Sequence, residues 1–163
     1  MATNPYFNLH GTDTPEQRLI ENLTIELKSN NLISLKGPSF AVGIMNRAET
    51  VLTLGFSKEK QKEIIFEIFS NTCIHLESTK DINGVEILGV IKNIYAILLG
   101  IVDEKITSPN SQFMVLSKVF NEIKLLNNIF KGDTKTIFLA CGLGDICLIS
   151  FNKLSRNRTL GKQ

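Results

Sequence analysis

Lys92 is the residue of this chain whose setting most invites a chemical reading. It stands inside the apolar run 87–102, with Leu88 and Ala96 as its i±4 neighbours, and no acidic residue lies three or four positions away to pair with it. A lysine so placed either carries its ammonium to the surface along its own methylenes or sits where the charge is used. Used, it can give a proton to an oxygen on which charge develops. Spacing alone leaves both readings open.

Three further segments hold groups that could meet a ligand. Gly142-Leu143-Gly144-Asp145 begins like a dinucleotide fingerprint, but Cys147 occupies the third glycine position and no acidic residue follows. As a fingerprint it fails; what remains is a glycine turn in which Asp145 either caps a helix or serves a site. Ser155-Arg156-Asn157-Arg158 concentrates donors suited to phosphate oxygens, or else forms a solvated basic tail. Gly37-Pro38-Ser39-Phe40-Ala41 follows an apolar stretch and could open a helix whose N–H groups attract anions. His10 and His75 have no partners at catalytic or metal-ligating spacing, and Cys73, Cys141 and Cys147 show no metal-type pattern, so no metal site is expected.

The elements that must hold these residues follow from periodicity. Thr14-Pro15 opens a helix with a Leu19, Ile20, Leu23 and Leu27 stripe. Strands are expected at 32–35, 50–54 and 73–77, with a helix over 58–70 that Ser57 caps and that turns Ile64, Ile65, Ile68 and Phe69 inward. From about residue 80 the pattern becomes helical: a long apolar helix over 82–102, a turn at Pro109 and Asn110, an amphipathic helix over 110–130 and a shorter helix within 134–151. Lys92 and Asn93 interrupt the densest apolar run. A span needs about 20 apolar residues and a central lysine costs about 2.5–3.5 kcal/mol, so a buried core helix is the better reading than a membrane span.

With 163 residues and 43% hydrophobic content the chain can bury a real core. A formal charge of +2 gives no general attraction to nucleic acid. The odd cysteine count and an N-terminal stretch with neither a basic nor an apolar run point to reduced thiols and the cytoplasm.

Taken together, GPSFA at 37–41, GVEILGVIKNIYAILLGIVD at 84–103, GLGD at 142–145 and LSRNR at 154–158 resemble the bacterial NAD(P)-dependent glycerol-3-phosphate dehydrogenases. The resemblance runs over residues 11–163, and four motifs in one order are far more specific than any one of them. It implies an α+β/α fold: a truncated Rossmann-type α/β lobe over 1–79, and an all-helical substrate domain of the 6-phosphogluconate-dehydrogenase C-terminal-like type over 80–163. It implies reduction of dihydroxyacetone phosphate to sn-glycerol 3-phosphate with NADH or NADPH, as a step toward glycerophospholipids.

By the same resemblance Lys92 is the proton donor and acceptor at the C2 oxygen, and Asp145 orients it and contacts substrate. Ser155, Arg156 and Asn157 bind the phosphate end, Gly37 and Ser39 line the substrate site, and Ala41 and Arg156 meet the NAD or NADP cofactor. The implied partner is a small molecule, neither nucleic acid nor membrane, with a homodimer as the assembly this reading admits. The sequence also departs from the family pattern. Leu88 stands in place of the first glycine of a pair, Ile149 for a threonine, Gly43 for a glutamate and Lys118 for an arginine. The family's glycine-rich diphosphate loop does not occur in the 163 residues, so the chain is expected to be incomplete and inactive by itself. A non-catalytic dimerisation or binding module is the alternative.

Overall fold

The computed structural model of the protein describes residues 32–106, 108–152 and 155–162. Its sheet has three strands in the order β1-β2-β3: β1 (Ser34–Lys36), β2 (Thr50–Gly55) and β3 (Ile74–Thr79). β2 is the middle strand, and its β-branched and leucine residues are buried on both faces except at Val51. β3 runs parallel to β2, joined by the crossover helix α2 (Glu59–Phe69), whereas β1 runs antiparallel with Lys36 opposite Thr53. The chain leaves β1 through Gly37, at φ +154°, where a Cβ would lie 2.9 Å from the Val51 carbonyl oxygen. That glycine is required by the turn, and the turn sends the chain out to the short helix α1 (Ala41–Met45).

Beyond the sheet the described residues are helical, as the change of periodicity near residue 80 implies: α3 (Ile82–Lys105), α4 (Pro109–Ile129), a 3-10 turn (Thr134–Phe138), a π-helical turn (Ala140–Gly144), α5 (Asp145–Phe151) and α6 (Arg156–Gly161). Asp81 starts α3. Its Oδ1 accepts from the Gly84 N–H at 2.9 Å, while Oδ2 accepts from the Asp133 N–H at 2.7 Å and the Thr136 hydroxyl at 2.6 Å. One carboxylate thus caps the helix and ties its first turn to the segment that leads toward α5. The core gathers around α3, where Val85, Leu88, Ile91, Tyr95 and Ala96 meet Val119 and Ile123 of α4 and Ile146 and Ile149 of α5. The Tyr95 hydroxyl donates to Glu122 at 2.7 Å, fixing α3 against α4. α3 is long and apolar enough to cross a membrane by length and composition, yet half of its most apolar stretch is buried inside the protein.

The closest helix contact is that of α6 on α3. A Cβ on Gly100 would come within 2.2 Å of the Arg158 carbonyl oxygen, and one on Gly161 within 2.0 Å of the Ile97 carbonyl oxygen. The Arg158 guanidinium, nearly buried, grips Asp103 through Nε at 2.7 Å and Nη2 at 2.6 Å, and donates to the carbonyls of Ile149 at 2.9 Å and Ser150. It therefore closes the end of α5, whose last carbonyls have no helical partner.

Several expectations are corrected. Lys58, not Ser57, is the N-cap of α2, and Gln61 Oε1 accepts from both the Ser57 hydroxyl and the Lys58 N–H. Ile64 and Ile68 are 47% and 62% exposed instead of buried, because among the described residues α2 packs on one side only, against β3. Pro109 is not a turn residue but the first residue of α4, a position that needs no N–H. The shorter helix expected within 134–151 is α5, which begins only at Asp145: Leu139 before it is extended, and Gly142 and Gly144 sit in the π turn that precedes it. The helix expected from Thr14 lies outside the described residues. Because the Gly100–Gly161 contact has no room for a methyl, Gly100→Ala and Gly161→Ala should each destabilise the chain by about 1–3 kcal/mol, against the gain of about 1 kcal/mol that alanine brings to an open helix. Urea unfolding with a midpoint unchanged or raised in both variants would contradict this packing.

Candidate active site

Lys92 finds its acid across the fold, not along its helix. Its Nζ donates to Asp145 Oδ2 at 2.8 Å, from 53 residues away in sequence. The carboxylate side chain is 4% exposed and the lysine side chain 26%, so the acid is buried while the lysine stays partly open to solvent. Asp145 is the first residue of α5 and caps nothing; Gly144 holds the N-cap position. Its charge is left for Lys92, with the helix N-terminus as additional favourable surroundings. Burial pushes the Asp145 carboxyl above the usual carboxylate range, opposed by the hydrogen bond and charge of Lys92 and by the charge of Lys36.

The turn that presents Asp145 is held from the sheet. The Thr53 hydroxyl donates to Glu77 at 2.8 Å and accepts from the Cys141 N–H at 2.9 Å, and Glu77 also accepts from the Ala140 N–H. Gly142 has no room for a side chain, since a Cβ would lie 2.3 Å from the Ile137 carbonyl oxygen. Gly144 meets Pro38, whose Cγ would be 3.1 Å from a Cβ there. The Gly37–Ala41 loop therefore borders the Asp145 turn. In that loop Gly37 is buried, Ser39 is exposed with its hydroxyl donating to the Gly37 carbonyl at 3.1 Å, and Ala41 is exposed at the start of α1.

On the other side of Lys92, Asn93 donates to the Gly89 carbonyl at 3.2 Å and accepts from Asn157 Nδ2 at 2.9 Å. Asn157 is thereby brought beside Lys92. Ser155 is nearly buried and caps α6, its hydroxyl accepting from the Arg158 N–H at 3.4 Å. Arg156 is exposed on the first turn of α6, and among the described residues it makes no ion pair. Lys92 and Asp145 thus come together, Asn157 is tied to the next residue of α3, Asn93, the Gly37–Ala41 loop borders the Asp145 turn, and Arg156 points outward. Sequence reading missed Thr53, Glu77, Asn93, Lys36 and Glu86. Only Ser34 and Lys36 carried a signal, being alternate positions of one strand and so on one face; both reach Glu86, Ser34 by a hydrogen bond and Lys36 by a 3.7 Å ion pair.

A family profile described as "NAD-dependent glycerol-3-phosphate dehydrogenase C-terminus" matches residues 81–163. The chain belongs to this family. Among its relatives are the glycerol-3-phosphate dehydrogenase [NAD(P)+] of Methanothermobacter thermautotrophicus, 36% identical over 83% of this chain and 42% of that one, and the chloroplastic glycerol-3-phosphate dehydrogenase [NAD(+)] 2 of Arabidopsis thaliana, 35% identical over 79% of this chain and 31% of that one. The chain spans less than half the length of these curated relatives. The crystal structure of the Coxiella burnetii glycerol-3-phosphate dehydrogenase superposes with a TM-score of 0.81 at 28% identity, covering 88% of this chain and 46% of that one. That from Plasmodium falciparum, at 20% identity and a TM-score of 0.77 over 88% of this chain and 40% of that one, shares the fold.

The Asp145 shift has a testable sign. A carboxyl whose pKa is raised by folding stabilises the fold at acid pH, and that contribution is lost as pH rises through the raised value. The stability of the parent chain relative to Asp145→Asn is therefore greatest below about pH 4 and declines above it. Urea titrations of both chains across pH measure the difference, and a parent that gains on the variant as pH rises would refute the direction. Carbon-13 detection of the carboxyl should also show a higher midpoint in Lys92→Met, where the main opposing charge is gone.

Proposed function

We propose that this chain carries the acid–base and substrate-phosphate groups of an NAD(P)-dependent glycerol-3-phosphate dehydrogenase, which interconverts dihydroxyacetone phosphate and sn-glycerol 3-phosphate for glycerophospholipid synthesis. The observation that carries the reading is the Lys92–Asp145 hydrogen bond at 2.8 Å, with Asn157 bonded to the adjacent Asn93. Residues 80–163 are then the helical substrate-binding domain and residues 1–79 belong to the dinucleotide-binding side. The reading is of a cytoplasmic protein in which α3 is a core helix and not a membrane span, with a homodimer as its assembly.

The chemistry follows from the donor set. Ketone reduction at C2 leaves negative charge on the oxygen, and the Lys92 ammonium gives that oxygen a proton; in the reverse direction the neutral amine takes the hydroxyl proton. Asp145 fixes the lysine side chain through their hydrogen bond. Arg156 and Asn157 take the phosphoryl oxygens, Arg156 by turning in from solvent, and Ser155 sets the helix end on which both stand. Gly37 and Ser39 form the loop over the substrate. A nicotinamide cofactor, NAD or NADP, supplies or accepts the hydride at C2 when bound. Among the described residues no glycine-rich turn would receive its diphosphate, so the donor set fits only the nicotinamide end, where Ala41 and Arg156 would meet it.

Binding and turnover therefore separate. Calorimetric titration of the chain with glycerol 3-phosphate should give saturable binding, weakened roughly tenfold to a hundredfold by Lys92→Met and by Arg156→Ala, the range for charged hydrogen bonds. The same chain alone should leave NADH and NADPH unoxidised with dihydroxyacetone phosphate, followed by the absorbance of the reduced nicotinamide. A chain that binds no glycerol 3-phosphate would favour the non-catalytic module instead.

A further inference from the structure

The function just proposed leaves one charged residue beside α3 without a role. Lys36, the last residue of β1, lays its side chain across Gly89 of α3: a Cβ built on Gly89 would lie 3.3 Å from both Cδ and Cε of the lysine and 3.5 Å from its Nζ. A glycine inside an apolar helix costs about 1 kcal/mol relative to alanine. Here, unlike at Gly100, the space it leaves is filled by a lysine stem and not by another backbone. Gly89 and Lys92 are three residues apart, so they share a helix face at a spacing of about 5–6 Å. The β1–β2 pairing fixes the Lys36 backbone, and Lys36 and Ser34 both point to Glu86.

The ammonium of Lys36 is nevertheless unspent. Its distance of 3.7 Å from Glu86 is an ion pair but too long for a hydrogen bond, the side chain is 35% exposed, and among the described residues it donates to nothing. Glu86 keeps it near the cleft without using its N–H groups. Lys92, by contrast, already spends one donor on Asp145. Along α3 the order is then Lys36 over Gly89, Lys92 with Asp145, Asn157 against Asn93, and α6 crossing at Gly100.

We propose that Lys36 is a further substrate-contacting residue of this site, a second ammonium that hydrogen-bonds the terminal hydroxyl of the three-carbon phosphate at the end opposite Arg156 and Asn157. The inference rests on the function proposed above and on the linear order of groups along α3. With the phosphoryl group toward α6 and the C2 oxygen at Lys92, the hydroxymethyl end falls beside Gly89, within reach of a lysine that has three N–H donors to give. A cation there also favours negative charge developing on the neighbouring C2 oxygen.

Two ligands and two variants test this by calorimetry on the 163-residue chain. The ligands are glycerol 3-phosphate and the phosphate of 1,2-propanediol, which lacks only the terminal hydroxyl. Lys36→Gln should weaken glycerol 3-phosphate about five- to tenfold and abolish the parent's preference for it over the analogue, while Lys36→Arg keeps much of that preference. Unchanged glycerol 3-phosphate affinity in Lys36→Gln would overturn the proposal. So would an equal loss for both ligands, which would put the lysine at the phosphoryl end. Absence of binding by the parent chain is a separate result that removes the substrate reading and this inference together.

Discussion

Holding Lys92 and Asp145 at 2.8 Å where the carboxylate is almost fully buried takes two charges largely out of water. Such a transfer costs of the order of several kcal/mol per ion unless geometry and further hydrogen bonds offset it. Much of the architecture bears on that requirement. α3 must be apolar enough to anchor the core and still deliver one ammonium to a buried carboxylate. The turn before α5 must set a carboxylate opposite it without using that carboxylate as a cap. Neither demand is local, which explains why the turn that leads into α5 is held by a threonine and a glutamate from the sheet.

A second buried pair does related work at the other end of α3. Asp103 receives two bonds from Arg158 and a longer contact from Lys162 at 3.5 Å, and the same guanidinium closes the carbonyl end of α5. The two ion pairs differ in what they leave over. Arg158 spends its guanidinium on Asp103 and on main-chain carbonyls, which marks it as structural although it stands in a motif rich in phosphate-type donors. The Lys92 side chain keeps a quarter of its surface exposed, and Arg156, two residues before Arg158, faces solvent.

Periodicity made the long helices and the sheet legible, because a continuous apolar run and a β-branched alternation have few other uses. The order of GPSFA, IKN, GLGD and RNR made the Lys92 and Asp145 pairing legible through family resemblance; spacing by itself left Lys92 between snorkelling and use. What stayed hidden was tertiary. Thr53 and Glu77 are polar residues in strands, and nothing local distinguishes them from solvent-facing positions, yet they hold the Asp145 turn. Ile64 and Ile68 obeyed helical spacing and still came out exposed, since a pattern shows which face is apolar but not whether a neighbour covers it. Gly89 carried no signal of its own in the sequence, and only the side chain of Lys36 lying across it gives the missing Cβ a reason.

The hydroxyl of Thr53 belongs to the middle strand of the sheet, while the N–H it accepts belongs to the turn that carries Asp145. Sheet and helices are therefore not interchangeable cassettes. Recombining the strand segment of one family member with the helical segment of another would preserve Lys92 and Asp145 and still misplace the carboxylate, unless residues 53, 77 and 141 are inherited from the same parent. The crossover point that best respects this chain lies N-terminal to β2, not at the apparent seam between the last strand and α3.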